Sequence, residues 1–516
     1  MNIKIKVGDV KIIYENILEN DSMVNLYKVM FSKPNLEFLN KVYEKAPSLV
    51  TGYYKELNKG FEKYNSMNKA SSVNMTDNPD ILPANGHDIY NYVARYGLAN
   101  HQLQAIMKLD GRLDFEKLSK AVRLSVDEEP VLGCRFIESE PPYWKRLNNL
   151  DEVRFCSLEK TDNPNAAVKR FLESTLDMDK DPMVKVKLIR SDHYDTLCIK
   201  VNHACCDGTG TKEYIQLLSG IYSAIVRNNG IFVTKPKKRG RTDQDRLLNE
   251  LGIKDLDAAW IPGSDISTPT WSFPWKPASS SNTCIEVCRL CGGQLDRMAS
   301  YARETKATIN DLILTAYYRA MLEMGKPAYG VPMEIPITVD LRRYLPDGRT
   351  EAIRNFSGGL STRLPMLENE AFSDTLSRLV PMMIEIKSGN PGLQSAIGLE
   401  RIEGINFHET LAYYQVTTQF IKNSSQCIPY CGDKCIPTLS NLGFISKDLF
   451  NFGECVVTDA YIVPPVVRAP GLLLMVGTYN GIITLAAGFY EGTVDREAVR
   501  RLLDKIRDEL MEGCGQ

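Results

Sequence analysis

Asn202-His203-Ala204-Cys205-Cys206-Asp207-Gly208 is the stretch whose reading decides the fold of this chain. It follows Leu197-Cys198-Ile199-Lys200-Val201, whose alternation of apolar and mixed positions fits a strand with one buried face. Beyond it, Tyr214, Leu217, Leu218, Ile221 and Ile225 recur at helical spacing. The histidine therefore sits on a strand-to-helix connection, four residues before an aspartate and five before a glycine. The chain holds only five histidines. An imidazole in such a place can act as a general base near neutral pH, although most loop histidines do no chemistry.

Working outward, the same kind of patterning continues on both sides. Asp110-Gly111-Arg112-Leu113-Asp114 predicts a turn with Asp114 as helix N-cap, and Phe115, Leu118, Val122 and Val126 supply the apolar face of the helix that follows. Pro130-Val131-Leu132-Gly133-Cys134-Arg135-Phe136 reads as a further strand. Residues 1–85 read as a helical extension, with Leu36, Leu39, Val42 and Tyr43, then Tyr53, Tyr54 and Leu57 at helical spacing, and a polar linker from Asn65 to Asp80. Residues 86–227 form a first half carrying the histidine motif. In residues 228–282 the regular pattern fades into a crossover, with a short helix near Asp245–Leu251. Residues 283–516 restart as a second half: a strand at Cys284–Leu290, helices at Leu295–Glu304, Ile309–Met324, Phe372–Lys387 and His408–Lys422, several strands between Ile436 and Tyr490, and a charged helix over Asp495–Met511. Interleaved strands and helices make the fold class α+β.

Bulk composition narrows the function. A chain of 516 residues with 43% hydrophobic and 24% charged residues and a net charge of −2 has the balance of an ordinary soluble protein. A nucleic-acid binder usually carries a strong basic excess, so no nucleic-acid partner is expected. No apolar run approaches the roughly 20 residues that span a bilayer, so no membrane span is expected. The 13 cysteines are odd in number and scattered, and Met1-Asn2-Ile3-Lys4-Ile5-Lys6 has no signal-peptide pattern. Both point to a reducing, cytoplasmic location.

Several segments, in order, resemble the chloramphenicol-acetyltransferase-like superfamily of thioester-dependent acyltransferases, which includes alcohol acyltransferases, polyketide-associated acyltransferases and the condensation domains of nonribosomal peptide synthesis. They are Asp110-Gly-Arg-Leu-Asp-Phe-Glu-Lys-Leu-Ser-Lys-Ala-Val, Pro130-Val-Leu-Gly-Cys-Arg-Phe, the His203 motif (HxxxDG), Ala307-Thr-Ile-Asn-Asp-Leu-Ile-Leu, Val339-Asp-Leu-Arg-Arg-Tyr-Leu, Asn355-Phe-Ser-Gly and Ser440-Asn-Leu-Gly. They span about residues 86–500. The resemblance implies two similar halves, each a mixed sheet with helices, facing one another across a central tunnel. A thioester donor would enter from one side and an acceptor from the other.

Under that resemblance His203 is the general base, taking a proton from a hydroxyl or amine as it attacks the thioester carbonyl. Asp207 is expected to point away from the tunnel and pair with Arg342 of the Val339-Asp-Leu-Arg motif, holding the loop. Gly208 gives backbone freedom or clearance. Ser357, Ser440 and Asn441 are candidates for oxyanion or substrate contacts, with ordinary turn capping as the equal alternative for each. No permanently bound cofactor and no metal are implied. An acyl-CoA or phosphopantetheine thioester is the co-substrate, a small-molecule acyl acceptor the second substrate, and an acyl-carrier protein a further candidate partner. Two other readings stay open: a condensation-type domain of nonribosomal peptide synthesis acting on carrier-bound substrates, against which the lack of adenylation or carrier sequence argues, and a non-catalytic relative that binds a partner.

Some features stand apart from this reading. Cys284-x-x-x-Cys288-x-x-Cys291 has the spacing of an iron–sulfur loop, but its first two thiols fall in a strand pattern that spaces them too far apart to share a cluster. Cys427, Cys431 and Cys435 lie in a Pro/Gly-containing stretch and read as free thiols rather than a zinc site, for want of a fourth ligand. Cys205 and Cys206 flank the motif and are expected to make the protein sensitive to thiol reagents. The basic run Lys235-Pro236-Lys237-Lys238-Arg239-Gly240-Arg241 reads first as a solvated linker, and second as a contact for the phosphates of coenzyme A or a carrier arm.

Overall fold

The computed structural model describes residues 3–7, 10–14, 33–67, 78, 80–236, 241–261, 270–276, 280–290, 293–403, 406–424, 434–447, 450–469 and 471–515. The N-terminal extension, expected to be helical, opens with two antiparallel strands, β1 (Ile3–Val7) and β2 (Val10–Tyr14). Alternating Ile, Val and Lys in both strands favours a hairpin over a helix. The expected helices follow as α1 (Lys33–Lys45) and α2 (Pro47–Met67). Most of the expected polar linker lies outside the described residues.

The first half contains β3 (Ile81–Pro83), α3 (Gly86–Val93), β4 (Gln102–Leu109), α4 (Phe115–Glu128), β5 (Cys134–Ile137), β6 (Tyr143–Arg146), β7 (Cys156–Lys160), α5 (Pro164–Glu173), β8 (Val184–Arg190), β9 (Asp195–Asn202) and α6 (Gly208–Arg227). As expected, Asp114 caps α4 by accepting from Lys117 N–H at 3.1 Å. Between the halves run α7 (Asp243–Glu250), α8 (Leu256–Ala259) and β10 (Trp271–Ser272). The second half holds β11 (Thr283–Leu290), α9 (Gln294–Glu304), α10 (Ile309–Gly325), β12 (Pro332–Asp340), β13 (Ser357–Pro365), α11 (Phe372–Ser388), α12 (Leu393–Glu403), α13 (Phe407–Ser424), β14 (Lys434–Ile445), β15 (Val457–Val463), β16 (Gly471–Tyr479), β17 (Ile482–Tyr490) and α14 (Arg496–Gly513).

Each half is organised around a mixed sheet. In the second, the order is β11-β17-β16-β14-β12-β13, with β10 attached to β14. In the first, the order is β15-β4-β9-β8-β7, so the edge beside β4 is filled by a strand from the far end of the chain. The division at residues 228–282 is thus crossed by one strand.

β9 differs from expectation in being buried along both faces rather than one. Leu197, Ile199 and Val201 pack with α4 and α6 in the first core, while Cys198 packs with Ile285 and Ala486 of the second sheet. Lys200, the mixed position in the pattern, is 2% exposed yet satisfied. Its ammonium donates to the Ser174 carbonyl and hydroxyl and lies 4.5 Å from the Phe171 ring centroid. Burial pushes its pKa down to about 7.

Two further joints tie the halves. Arg241, the last residue of the basic run, is buried rather than solvated: its guanidinium holds Asp88 of α3 at 2.7 and 2.9 Å and donates to the Ile353 carbonyl. Arg354 pairs with Asp243 at 3.0 Å, both essentially inaccessible. Such pairs fix geometry more than they add stability, because desolvating two charges offsets most of their attraction. The polar character of the run misled the linker reading at this residue, while residues 237–240 lie outside the described ones. The extension docks by Tyr53, whose hydroxyl is 3.3 Å from Thr417 Oγ1 and whose ring is 4.6 Å from that of Phe420 on α13.

Candidate active site

β9 delivers His203 one residue past its last ladder pair. The pairing of Gln102 with Asn202 carries on for one more bond, His203 N–H donating to the His101 carbonyl at 2.8 Å. The turn that follows is held by its own polar groups: Asn202 Oδ1 accepts from Ala204 N–H at 2.9 Å, and the Asn202 carbonyl accepts from Cys205 N–H at 3.2 Å. Asp207 then N-caps α6, accepting from Gly210 N–H at 2.7 Å.

The expected brace is present. Arg342 grips Asp207 through both terminal nitrogens, at 2.9 and 3.3 Å, with side-chain exposures of 3% and 5%. Asp207 also accepts from Phe356 N–H at 2.7 Å. Burial alone would raise its pKa, but the charge and hydrogen bonds of Arg342 and the two backbone donors bring it below the usual carboxylate value. The carboxylate thus does more than pin its own loop. It also anchors the 354–356 segment, and that segment carries the residue which orients His203.

That residue is Asn355. Its amide nitrogen donates to the carbonyls of His203 at 2.7 Å and Ala204 at 2.9 Å. The amide oxygen therefore faces His203 Nδ1, 3.1 Å away. An amide oxygen only accepts, so Nδ1 carries the imidazole proton and Nε2 keeps its lone pair. Burial holds the ring's pKa below its ordinary value, against the opposing pull of its own carbonyl, Asp207 and Asn355. The arrangement presents a neutral imidazole with one nitrogen committed and the other available as a base.

Gly208 and Gly210 both supply clearance rather than unusual backbone angles. A Cβ on Gly208 would meet Leu442 Cδ2 at 2.5 Å, the movable end of a side chain. A Cβ on Gly210 would meet Cys206 Sγ at 2.9 Å and the Arg354 carbonyl oxygen at 3.1 Å. Gly210 is the less forgiving of the two, because the Arg354 carbonyl is backbone, and it is what lets the 354–356 segment approach the helix start.

Of the remaining candidates, only Asn441 has both ends of its side chain committed. Ser440, on β14, accepts from Thr338 Oγ1 at 3.0 Å. Asn441 is committed at both ends, donating to Asn310 Oδ1 at 3.1 Å and accepting from Gly443 N–H at 2.9 Å. The Ser357 carbonyl accepts from the His87 ring at 3.2 Å. Among the described residues, no hydrogen bond joins Ser357, Ser440 or Asn441 to His203.

The cysteines beside the motif are not reagent-accessible as expected. Cys205 and Cys206 are both fully buried, and burial pushes both thiols up, which suppresses the reactive thiolate. Cys284 and Cys288 lie on β11, as their strand pattern required, and Cys291 lies outside the described residues. Cys435 sits buried on β14, while Cys427 and Cys431 lie outside the described residues. Among the described residues no group of three His, Cys, Asp or Glu side chains is placed to hold a metal ion. No helix of the described residues is long and apolar enough to cross a membrane.

Asn355 opens the Asn355-Phe-Ser-Gly motif, but nothing in the sequence gives it a role. It lies 152 residues from His203, and periodicity says nothing about contacts at that range. His101 drew no notice at all. The signal available for it was its place at the start of β4, opposite the motif in the antiparallel pair.

Comparison with known proteins places the chain in a family and a fold. The family model of the condensation domain matches residues 99–388, more than half of the chain. An uncharacterized protein of Mycobacterium tuberculosis is 23% identical over 468 residues, covering 85% of this chain and 96% of its own length. Among solved structures, polyketide synthase associated protein 5 from Mycobacterium tuberculosis is similar with a TM-score of 0.60 at 16% identity, covering 85% of this chain and 98% of that one. Trichothecene 15-O-acetyltransferase from Fusarium sporotrichioides gives 0.60 at 13% identity, over 83% and 94% of the two chains. The chain belongs to the condensation-domain family and has the chloramphenicol-acetyltransferase-like fold.

Proposed function

We propose that the protein transfers an acyl group from a thioester, on coenzyme A or on a carrier protein's phosphopantetheine, to a hydroxyl or amine. The observation that carries this reading is the Asn355–His203 contact, which leaves Nε2 unprotonated in a protein of this family. The acceptor's O–H or N–H would give its proton to Nε2 as the oxygen or nitrogen bonds to the thioester carbonyl carbon. The tetrahedral intermediate then collapses, the C–S bond breaks, and the departing sulfur takes the proton from Nε2–H. The products are an ester or amide and a free thiol, so the base is regenerated without an external co-reactant. A thioester carbonyl is already activated, and a covalent acyl-enzyme is not needed.

A condensation-type reaction with carriers on both sides is the second reading, favoured by the family match over residues 99–388. The purified protein, supplied with acyl-CoA of increasing chain length or with acylated carrier proteins, separates the two by which donor releases thiol when alcohols, amines or aminoacyl carriers are added. His203→Ala is the control. The acyl-transfer reading fails if no thioester of either kind is consumed faster than by that variant.

A further inference from the structure

Opposite His203 stands a second imidazole that the mechanism above does not use. His101 is one step beyond the last β4–β9 ladder pair, and its ring centroid lies 5.8 Å from that of His203 with the planes at 47°. It is 5% exposed, and neither Nδ1 nor Nε2 has a hydrogen-bond partner. The backbone there has φ +45°, in the left-handed region that non-glycine residues seldom occupy. Unpaired buried atoms continue beside it, at Asn100 Nδ2 and Gln104 Oε1.

A buried polar group left unpaired is costly, and one kept in a folded protein is expected to have a reason. Burial, reinforced by neighbouring His203, holds the His101 imidazole well below its ordinary pKa. The ring is therefore neutral, with one N–H to donate and one lone pair. The reaction needs a donor for the thioester carbonyl oxygen as negative charge builds on it. Asn441, one of the groups the sequence suggested for that role, is committed at both ends.

We propose that His101 is a substrate-contacting residue whose ring N–H binds the thioester carbonyl oxygen across from the base His203. The inference rests on the acyl-transfer reading above. It assigns the two imidazoles complementary work: His203 accepts the acceptor's proton, and His101 donates to the oxygen of the group being attacked. Both contacts serve one reacting centre, which must lie within about 3 Å of base and donor alike.

The test compares His101→Phe, which keeps a ring but loses both nitrogens, with His101→Gln, which keeps an N–H donor. Both replacements lose histidine's tolerance of the left-handed backbone, so their difference reports hydrogen bonding. Three quantities are measured: the melting temperature, steady-state turnover of an acyl-CoA donor, and the Kd for an acyl-pantetheine in which NH replaces the thioester sulfur. The proposal expects His101→Phe to melt no lower than His101→Gln while losing about 10²-fold or more in kcat/KM. The loss should fall equally on kcat, as for a contact made chiefly in the transition state, with His101→Gln recovering at least part of it. If His101→Phe turns over like wild type while His203→Ala is dead, this inference falls and the acyl-transfer reading stands. If wild type neither consumes any thioester nor binds the amide analogue, both fall together.

Discussion

His203 and His101 occupy facing positions on neighbouring strands, yet their surroundings differ in almost every respect. Around His203, Asn355 fixes Nδ1, the turn is closed by Asn202, and Asp207 with Arg342 anchors both connecting segments. Around His101, neither ring nitrogen is paired and the backbone is left-handed. Both imidazoles are held below their ordinary pKa by burial, but only one has a defined tautomer. The difference suggests a division between a side of the site that is preorganised and a side left for the substrate to complete.

Breaking the organised side should produce the largest effects. His203→Ala is expected to lower thioester transfer by about 10²- to 10⁴-fold while the circular dichroism spectrum and melting temperature stay near wild type. Retained transfer would reject the base assignment. Asp207→Ala strips Arg342 and Phe356 N–H of their common partner, leaving the buried guanidinium only its contacts with Glu213 at 3.3 Å and Asp340 at 3.2 Å. Its urea midpoint should fall by the equivalent of about 3–5 kcal/mol, and a change under 1 kcal/mol would show the brace to be dispensable.

Asn355→Ala removes the acceptor for Nδ1 and should slow turnover on the order of 10²-fold, since orientation and tautomer are lost together. A drop matched by an equal loss of stability would mean that it merely holds the turn. Gly210→Ala forces a methyl group against the Arg354 carbonyl and should cost about 1–3 kcal/mol, more than Gly208→Ala, whose obstacle is a rotatable leucine. The smallest effect is on pH dependence. Because the folded-state pKa of His203 is lowered, its base form persists to lower pH, and the acid limb of kcat/KM should lie below about 6.5. A limb above that value would contradict the burial argument.

Much of this was legible in the sequence. The strand-motif-helix order and the Asp114 cap are properties of local pattern, whereas the Asp207–Arg342 pairing, across 135 residues, was implied only by the family resemblance. Three things were not legible, each for a physical reason. The role of Asn355 depends on a contact between segments 152 residues apart. The burial of both faces of β9 depends on a second sheet that its own residues do not announce, and Lys200 there looks exposed although it is satisfied by Ser174. Arg241 sits in a run whose charge suggests solvent, and only the fold reveals Asp88 waiting for it. Local chemistry predicts local structure; pairing across distant segments must be seen.

The strand β15 leaves the second half to pair with β4 along six register positions, from Val457–Leu109 to Val463–Gln104. A protein cut within residues 228–282 would therefore yield fragments that are not independent. The first would expose an unpaired, apolar edge at β4, the kind of surface that recruits other chains. The second would carry a strand with no sheet to join. Mixed together, the fragments should find one another through that strand, and a chain whose β15 enters a neighbour's sheet instead of its own would become an exchanged dimer. Coupled unfolding of the two halves follows from the same strand, since the first sheet cannot be completed while the second half is absent.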